Sequence, residues 1–272
     1  MKRSILTIPI QKVEAESSRS CQDLLAVEEP LEIRLGDRTV SITMRTPGHD
    51  FDLAAGFLFT EGILQNSRQI AQIHWSTSEG NPRQAGNSVT VELAPGVEID
   101  FSRLERHFYT SSSCGVCGKA SIEALEMQNC LVLPRDVPKI ERALVHRLPD
   151  ALRSQQAVFE HTGGLHAAAL FNAVGGLLVL REDVGRHNAV DKLIGAELLA
   201  GHTPLDRHLL LVSGRASFEL VQKALMAGIP ILAAVGAPSS LAVETALRFN
   251  MTLIGFVRGG RFNIYSGASR IE

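Results

Sequence analysis

The chain has 272 residues, enough for one large domain or two ordinary ones. Its formal net charge of −2 argues against general nucleic-acid binding, although a local basic pocket is compatible with that value. No apolar run approaches the length of a membrane span, and the basic start precedes too short an apolar stretch for a signal peptide. We therefore expect a globular cytoplasmic protein with neither a membrane nor a nucleic-acid partner.

The first half of the sequence mixes strand and helix signals. It predicts strands at residues 31–35, 40–44, 70–75 and 88–93. The first two flank Gly36-Asp37 with the alternation of a β-hairpin. Residues 50–59 favour a helix, with Asp50 as a possible N-cap and Gly62 as a possible stop.

The cysteine pair Cys114 and Cys117 follows, in the run Ser111-Ser-Ser-Cys-Gly-Val-Cys-Gly-Lys119. Such small neighbours are not typical of packed core cysteines. A helix predicted at residues 120–127 and the ammonium of Lys119 both favour the thiolate, which attacks sulfur, binds metal or carries a persulfide. The spacing alone leaves three interpretations open: redox or sulfur chemistry, a metal site, or an incidental surface loop.

A zinc site made of four cysteines is disfavoured because Cys21 and Cys130 stand alone. His107 and His161 could complete a site, but their spacing matches no zinc module. We therefore expect no resident metal. In a reducing compartment, a pair of this kind is more often catalytic or metal-binding than structural.

The second half alternates strands and helices more regularly. The sequence predicts strands at residues 165–171, 177–181, 208–212, 230–235, 251–257 and 262–265, the first two as an antiparallel hairpin. Helices are predicted within residues 138–156, at 188–200 with an amphipathic pattern, at 217–227 and at 240–249. This order implies a partly parallel sheet with helices on both faces. We place a domain boundary near Pro134 and Pro138, giving an α+β part, residues 1–136, and an α/β part, residues 137–272.

Small and basic residues follow the predicted strands of this half, in the segments 182–188, 213–217, 236–240 and 258–261. In open α/β sheets the ligand crevice lies beyond the carboxyl ends of the strands. Four arginines would gather there: Arg186, Arg215, Arg258 and Arg261. Guanidinium groups match phosphate geometry, so we expect a phosphorylated ligand such as a nucleotide. No P-loop motif supports phosphate hydrolysis.

The sequence leaves the roles of other polar residues in these segments open. His187 lies between Arg186 and Asn188 in the expected rim, whereas His166 suits a core position at a strand start. Asp183 and Asp191 are candidates to pair with the arginines or to orient the base of a ligand.

With these residues assembled, the chain resembles the FdhD family of sulfur-carrier accessory proteins. The resemblance covers nearly the whole chain and rests on six ordered stretches, at residues 45–50, 53–62, 112–119, 162–170, 181–192 and 213–223. It implies a sulfurtransferase that takes persulfide sulfur from a cysteine desulfurase and passes it to the molybdenum bis-guanine-dinucleotide cofactor of formate dehydrogenase. The persulfide cysteine maps to Cys114, and Cys117 is the second of the pair.

The resemblance also implies a cofactor-binding stretch, which maps to Phe256, Val257, Arg258, Gly259, Gly260 and Arg261. Together with Arg186, His187, Ser213 and Arg215 it should bind free GDP as a mimic of the cofactor. Two guanine arms need two pockets, which a homodimer would supply. The expected protein partners are the desulfurase and the formate dehydrogenase apoprotein.

For the second half, the resemblance implies a fold like that of cytidine deaminases. Deamination itself is disfavoured, because no glutamate follows His166 and the cysteine pair lies upstream. Three functions stay in competition: sulfur transfer through Cys114, a dithiol oxidoreductase, and a cofactor-binding chaperone whose cysteines only hold a loop. We favour the first.

Overall fold

The computed structural model describes residues 4–76, 86–99, 130 and 132–272. These residues form three sheets and six α-helices in a mixed α/β fold. The strands are β1 (Ile5–Glu14), β2 (Ser17–Ala26), β3 (Glu29–Leu35), β4 (Arg38–Arg45), β5 (Ile70–Trp75), β6 (Ser88–Leu93), β7 (His166–Asn172), β8 (Leu177–Asp183), β9 (His208–Val212), β10 (Ile231–Ala234), β11 (Thr252–Arg258) and β12 (Arg261–Ser266). The helices are α1 (Asp50–Thr60), α2 (Arg142–Arg153), α3 (Ala157–Thr162), α4 (Arg186–Leu199), α5 (Phe218–Met226) and α6 (Ser240–Arg248), with short 3₁₀ turns at Ser67–Gln69 and Ala268–Arg270.

A six-stranded sheet dominates the second half, in the order β12-β11-β10-β9-β7-β8. β9, β10 and β11 are parallel, and the remaining pairs are antiparallel. Both faces of this sheet carry apolar side chains, as expected for strands that are covered by helices on both sides. Leu210 and Leu232 face the core that contains α4, α5 and α6, whereas Leu209 and Leu211 face α2. The predicted hairpin, parallel section and helices on both faces are confirmed.

A four-stranded sheet in the order β4-β3-β6-β5 organises the first half. The predicted hairpin is β3 and β4, and the strands predicted at residues 70–75 and 88–93 are β5 and β6. Leu31, Ile33 and Val89 are completely buried against α1, which contributes Leu53 and Leu58. This apolar layer packs α1 onto the sheet.

Helices α1 and α4 pack against each other between the two larger sheets. Both carry a glycine at the contact, Gly56 and Gly195, and each lies directly against the backbone of the other helix. The prediction of an amphipathic α4 is wrong, because almost every residue from Asn188 to Leu198 is buried. The sheet covers one side of α4 and α1 covers the other, so its polar residues are buried as well.

Smaller differences have local causes. Asp50 is not the N-cap of α1; His49 is, and Asp50 opens the first turn. The helix expected within residues 138–156 is confirmed as α2, which begins at Arg142 after Ile140 has formed a parallel bridge with Ile271. Gly62 has a φ of 74°, as expected for a residue that stops a helix. The sequence made no prediction for the β1–β2 hairpin.

The predicted helix at residues 120–127 lies outside the described residues. The division into residues 1–136 and 137–272 stays a prediction. Among the described residues, no helix has the length and apolar character needed to cross a membrane.

Candidate functional site

The carboxyl ends of the parallel strands meet at one edge of the six-stranded sheet. Ser213, Gly236 and Arg258 lie there, at the ends of β9, β10 and β11. Because β7 and β8 are antiparallel to their neighbours, the start of β7 at His166 and the end of β8 at Asp183 reach the same edge. We call this edge, with its loops at residues 183–187, 213–217, 236–238 and 256–261, the strand-end rim.

The loops of the rim are held together by their own backbones. The Gly236 N–H donates to the Gly214 carbonyl at 2.9 Å, and the Phe256 N–H donates to the Gly236 carbonyl at 3.0 Å. A Cβ at Gly236 would lie 2.9 Å from the Gly214 oxygen, so packing between loops already requires a glycine here. Ser213 is similarly engaged, since its hydroxyl accepts from the Ala167 N–H at 2.8 Å.

The first turn of α4 brings Arg186 and His187 into the rim. Among the described residues, Arg186 Nε and His187 Nε2 are buried and have no hydrogen-bond partner. A carboxylate oxygen of Glu219 lies 3.9 Å from His187 Nε2, beyond hydrogen-bond distance. Burial, assisted by the positive charges of Arg186 and Lys223, lowers the pKa of His187 to about 4. The imidazole is therefore neutral at neutral pH. Buried polar atoms without a partner cost free energy, and a ligand that bonds to them would recover it.

A fully buried carboxylate, that of Asp183, holds the rim in place. It pairs with Lys192 at 2.7 Å and accepts from the Gly185 N–H at 2.8 Å and from the Thr46 N–H at 3.1 Å. Asn188 Nδ2 donates to the same carboxylate at 3.1 Å. The suggestion that Asp183 pairs with an arginine is thus wrong. Its partner is Lys192, in the second turn of α4, and no local sequence pattern links it to the end of β8.

Asp191 also pairs with a lysine instead of an arginine. Lys223 Nζ lies 3.0 Å from Asp191 and 2.9 Å from Glu61, and the Thr60 hydroxyl donates to Asp191 at 2.7 Å. Burial raises the pKa of Asp191 to about 6 although Lys223 opposes the change. Burial alone would lower the pKa of Lys223, but Asp191 and Glu61 outweigh it and raise that pKa. The network therefore stays charged at neutral pH beneath His187.

The predicted cofactor stretch forms the turn between β11 and β12. Gly259 and Gly260 have φ values of 58° and 70°, and Arg258 and Arg261 face each other in register, so a two-residue hairpin turn explains the glycines. Arg258 and Arg261 are exposed, and the Arg258 guanidinium lies 5.6 Å from the Phe256 ring.

Val257 and Arg215, also predicted to bind the cofactor, differ in how accessible their side chains are to a ligand. The Val257 side chain is buried in the core, so only its backbone is open to a ligand. Arg215 is exposed at the end of β9, beside Gly236.

The predicted sulfur site, Cys114 and Cys117, lies outside the described residues. Of the other two cysteines, Cys130 is partly buried, and burial raises the pKa of its thiol to about 11. Cys130 is therefore a protonated thiol at neutral pH and a poor nucleophile. Within the described part of the chain, no group of three or more His, Cys, Asp or Glu side chains is arranged to hold a metal ion.

A cavity of about 940 Å³ lies beside the rim, and sequence reasoning missed it. It is lined by the β4–α1 turn and the start of α1, residues 46–52, by residues 180–182 of β8, and by Trp75. Lys192 and Thr46 line it as well, and because they hold Asp183 they also border the rim. Two signals were present in the sequence. One is the stretch 45–50, which carried part of the family resemblance but received no role; the other is the sole tryptophan.

Comparison with known proteins decides the family. The sequence profile of the FdhD/NarQ family matches residues 26–272. This chain belongs to the FdhD/NarQ family. A protein of Streptomyces avermitilis named sulfur carrier protein FdhD is 54% identical over 253 residues, covering 92% of this chain and 89% of the relative. Proteins of the same name from Mycobacterium tuberculosis and Sulfolobus acidocaldarius are 48% and 41% identical, over 96% and 98% of this chain.

A solved structure shows the same fold. The crystal structure of a protein assigned as a formate dehydrogenase accessory protein, from Desulfotalea psychrophila, matches with a TM-score of 0.77 at 24% identity. The match covers 99% of this chain and 100% of the other. The FdhD/NarQ profile begins at Ala26, so the hairpin of β1 and β2 precedes nearly all of the family match.

Proposed function

We propose that this FdhD/NarQ protein is a sulfur carrier that serves a formate dehydrogenase. It accepts sulfur from a cysteine desulfurase as a persulfide on Cys114 and passes it to the molybdenum bis-guanine-dinucleotide cofactor. The observation that carries the proposal is the match, over 92% of the chain, to a relative named sulfur carrier protein FdhD. The sequence context of Cys114 and Cys117, among small polar residues and next to Lys119, supports it.

The loading step is a thiol–persulfide exchange. The Cys114 thiolate attacks the terminal sulfur of the desulfurase persulfide, a new S–S bond forms, and the desulfurase cysteine leaves as its thiolate. The step changes no overall oxidation state and needs no further reactant. The thiolate is the attacking form, and the neighbouring Lys119 favours it at Cys114, whereas burial keeps the Cys130 thiol protonated.

The strand-end rim is the proposed binding surface for the guanine-nucleotide arms of the cofactor. Three features support it: the exposed arginines Arg215, Arg258 and Arg261, the unpartnered buried atoms of Arg186 and His187, and the position beyond the strand ends. One rim per chain would take one arm, so we propose a homodimer that acts in the cytoplasm.

The fold gives a further part of the proposal. The second half has a helix, an antiparallel strand pair and then alternating helices and strands, which supports a cytidine-deaminase-like domain at residues 137–272. Residues 1–136 would then form the smaller domain that carries the cysteine pair.

Intact-mass spectrometry after incubation with a cysteine desulfurase and cysteine tests the function. We expect a gain of one sulfur that a reductant removes, its loss in Cys114→Ala, and its retention in the matched variant Cys130→Ala. Loss of two hydrogens instead would indicate a dithiol oxidoreductase. An unchanged mass would indicate a cofactor-binding chaperone, and either result would overturn the proposal.

A further inference from the structure

The cavity beside the strand-end rim has an aromatic wall. Phe51 of α1 and Trp75 of β5 lie with ring centroids 5.4 Å apart, tilted by 47°. Trp75 is 40% exposed, so part of its indole is open to the cavity that it lines. Leu165 and Leu180 extend the apolar lining. A wall of this kind suits a flat ring, because an aromatic face stacks on heterocycles.

The carboxylate of Asp52 lines the cavity, and only one of its two oxygens is engaged by the described residues. Asp52 Oδ2 accepts from Arg181 at 2.8 and 3.1 Å, and His49 Nδ1 lies 3.4 Å from the same oxygen. No hydrogen bond among the described residues uses Asp52 Oδ1. Burial pushes the pKa of Asp52 upward, but the hydrogen bonds from His49 and Arg181 outweigh it and lower that pKa. Asp52 is therefore an ionised acceptor held in a fixed orientation.

The other charges of the cavity are already satisfied. Asp50 pairs with the buried Arg45 and accepts from the Gly48 N–H, and Lys192 pairs with Asp183. Glu182 accepts from two backbone N–H groups at the start of α3. This leaves Asp52 Oδ1, beside the stacking wall, as an ionised acceptor open to a ligand. The aromatic wall and this acceptor together suit an uncharged flat ligand whose edge carries N–H donors.

We propose that this cavity binds a 2-amino-4-oxopyrimidine ring, stacked on Trp75 and donating N–H hydrogen bonds to Asp52. Adjacent ring N–H and amino groups give such a ring the donor edge that a carboxylate recognises. This inference rests on the proposed function, whose substrate carries the ring at two places, in its guanines and in its pterins. The cavity would be a second contact with that substrate, separate from the arginines of the rim.

Trp75 provides the measurement, because it is the only tryptophan in the chain. The full-length protein is titrated with 6-hydroxymethylpterin and, separately, with guanosine, while its tryptophan fluorescence is recorded. Neither probe carries a phosphate, so neither depends on the rim arginines. Saturable quenching by the pterin assigns the cavity to the pterin end of the substrate, and saturable quenching by guanosine assigns it to the guanine end.

Matched variants decide whether Asp52 is the acceptor. Asp52→Asn should weaken binding of the probe that quenches the fluorescence about tenfold. Asp37→Asn, the same change in an exposed turn, should leave the affinity for that probe unchanged. Trp75→Ala, followed by calorimetry because the fluorophore is lost, should weaken binding by at least the same factor. Melting temperatures of each variant show that the fold is retained.

Two results would overturn the inference. One is that neither probe quenches the fluorescence saturably; the other is that the Asp52→Asn and Asp37→Asn variants bind the probe with equal affinity. The persulfide assay on Cys114 is scored separately. A protein that gains sulfur but binds neither ring refutes only the cavity assignment. One that binds a ring through Asp52 but never gains sulfur refutes the sulfur-carrier function and leaves the cavity assignment standing.

Discussion

Gly56 of α1 lies so close to α4 that a Cβ atom added to it would be 1.8 Å from the Asp191 carbonyl oxygen. Gly195 has the reciprocal relationship with the Asp52 carbonyl, at 1.9 Å. The two helices therefore meet backbone to backbone. This contact brings Thr60 within hydrogen-bond distance of Asp191, and it places Asp52 where Arg181 of the neighbouring strand can bind it.

Replacement of Gly56 by Ala should destabilise the protein, because neither backbone can move away without disturbing both buried networks. We expect the free energy of unfolding to fall by about 3 kcal/mol, at the upper end of the usual cost of overpacking. Urea denaturation measures it. Gly164→Ala is the matched control, since the nearest atom to its added Cβ lies 3.8 Å away. Equal stability of the two variants would mean that the helices do not pack this closely.

Lys223→Met tests the network beneath the rim. Removing the ammonium leaves the buried Asp191 carboxylate without its cation, and breaking a buried pair in this way costs about 3–5 kcal/mol. Lys139→Met is the same change at an exposed ion pair with Glu272, and it should alter the free energy of unfolding by less than about 1 kcal/mol. A Lys223 variant as stable as the Lys139 variant would contradict the assigned pairing.

His187 should make stability depend on pH in a defined direction. Its pKa is about 4 in the folded protein and 6.5 without the fold, so the unfolded chain binds more protons between these values. Its contribution is therefore complete above pH 6.5 and is lost as the pH falls towards 4. In thermal unfolding across this pH range, the melting temperature of His187→Gln should fall less steeply with decreasing pH than that of the parent protein. His161→Gln, at an exposed position, should follow the parent curve. A parent-like curve for His187→Gln would contradict the lowered pKa of His187.

The rim assignment is tested by calorimetry with GDP. Replacing Arg258 and Arg261 together by Ala should weaken binding by about 2 kcal/mol, the order of lost charge-assisted hydrogen bonds. Persulfide formation on Cys114 should be unaffected. Arg142 and Arg147, exposed on α2, provide a double-alanine control with the same change of charge. If the first double variant binds GDP like this control, the nucleotide pocket lies elsewhere.

The sequence by itself determined most of the secondary structure and the edge at which the candidate rim lies. Alternation around Gly36-Asp37 identified β3 and β4, and short apolar runs identified β9, β10 and β11. These signals are local, because side-chain periodicity reports which faces of one element are buried. Once the strands were known to be parallel, the rule for carboxyl ends was enough to bring Ser213 and Arg258 to the same edge.

Only the tertiary structure decided the partners of the buried charges and the existence of the cavity. Asp183 meets Thr46 across 137 positions of sequence, and Lys223 meets Thr60 across 163. No pattern within either segment encodes such contacts, because the first joins the β4–α1 turn to the end of β8 and the second joins α5 to the end of α1. The packing of α1 and the sheet around α4 buries that helix on nearly all sides, against its predicted amphipathic character. The tertiary structure also encloses the space between Trp75 and Asp52, two residues that the sequence does not place together.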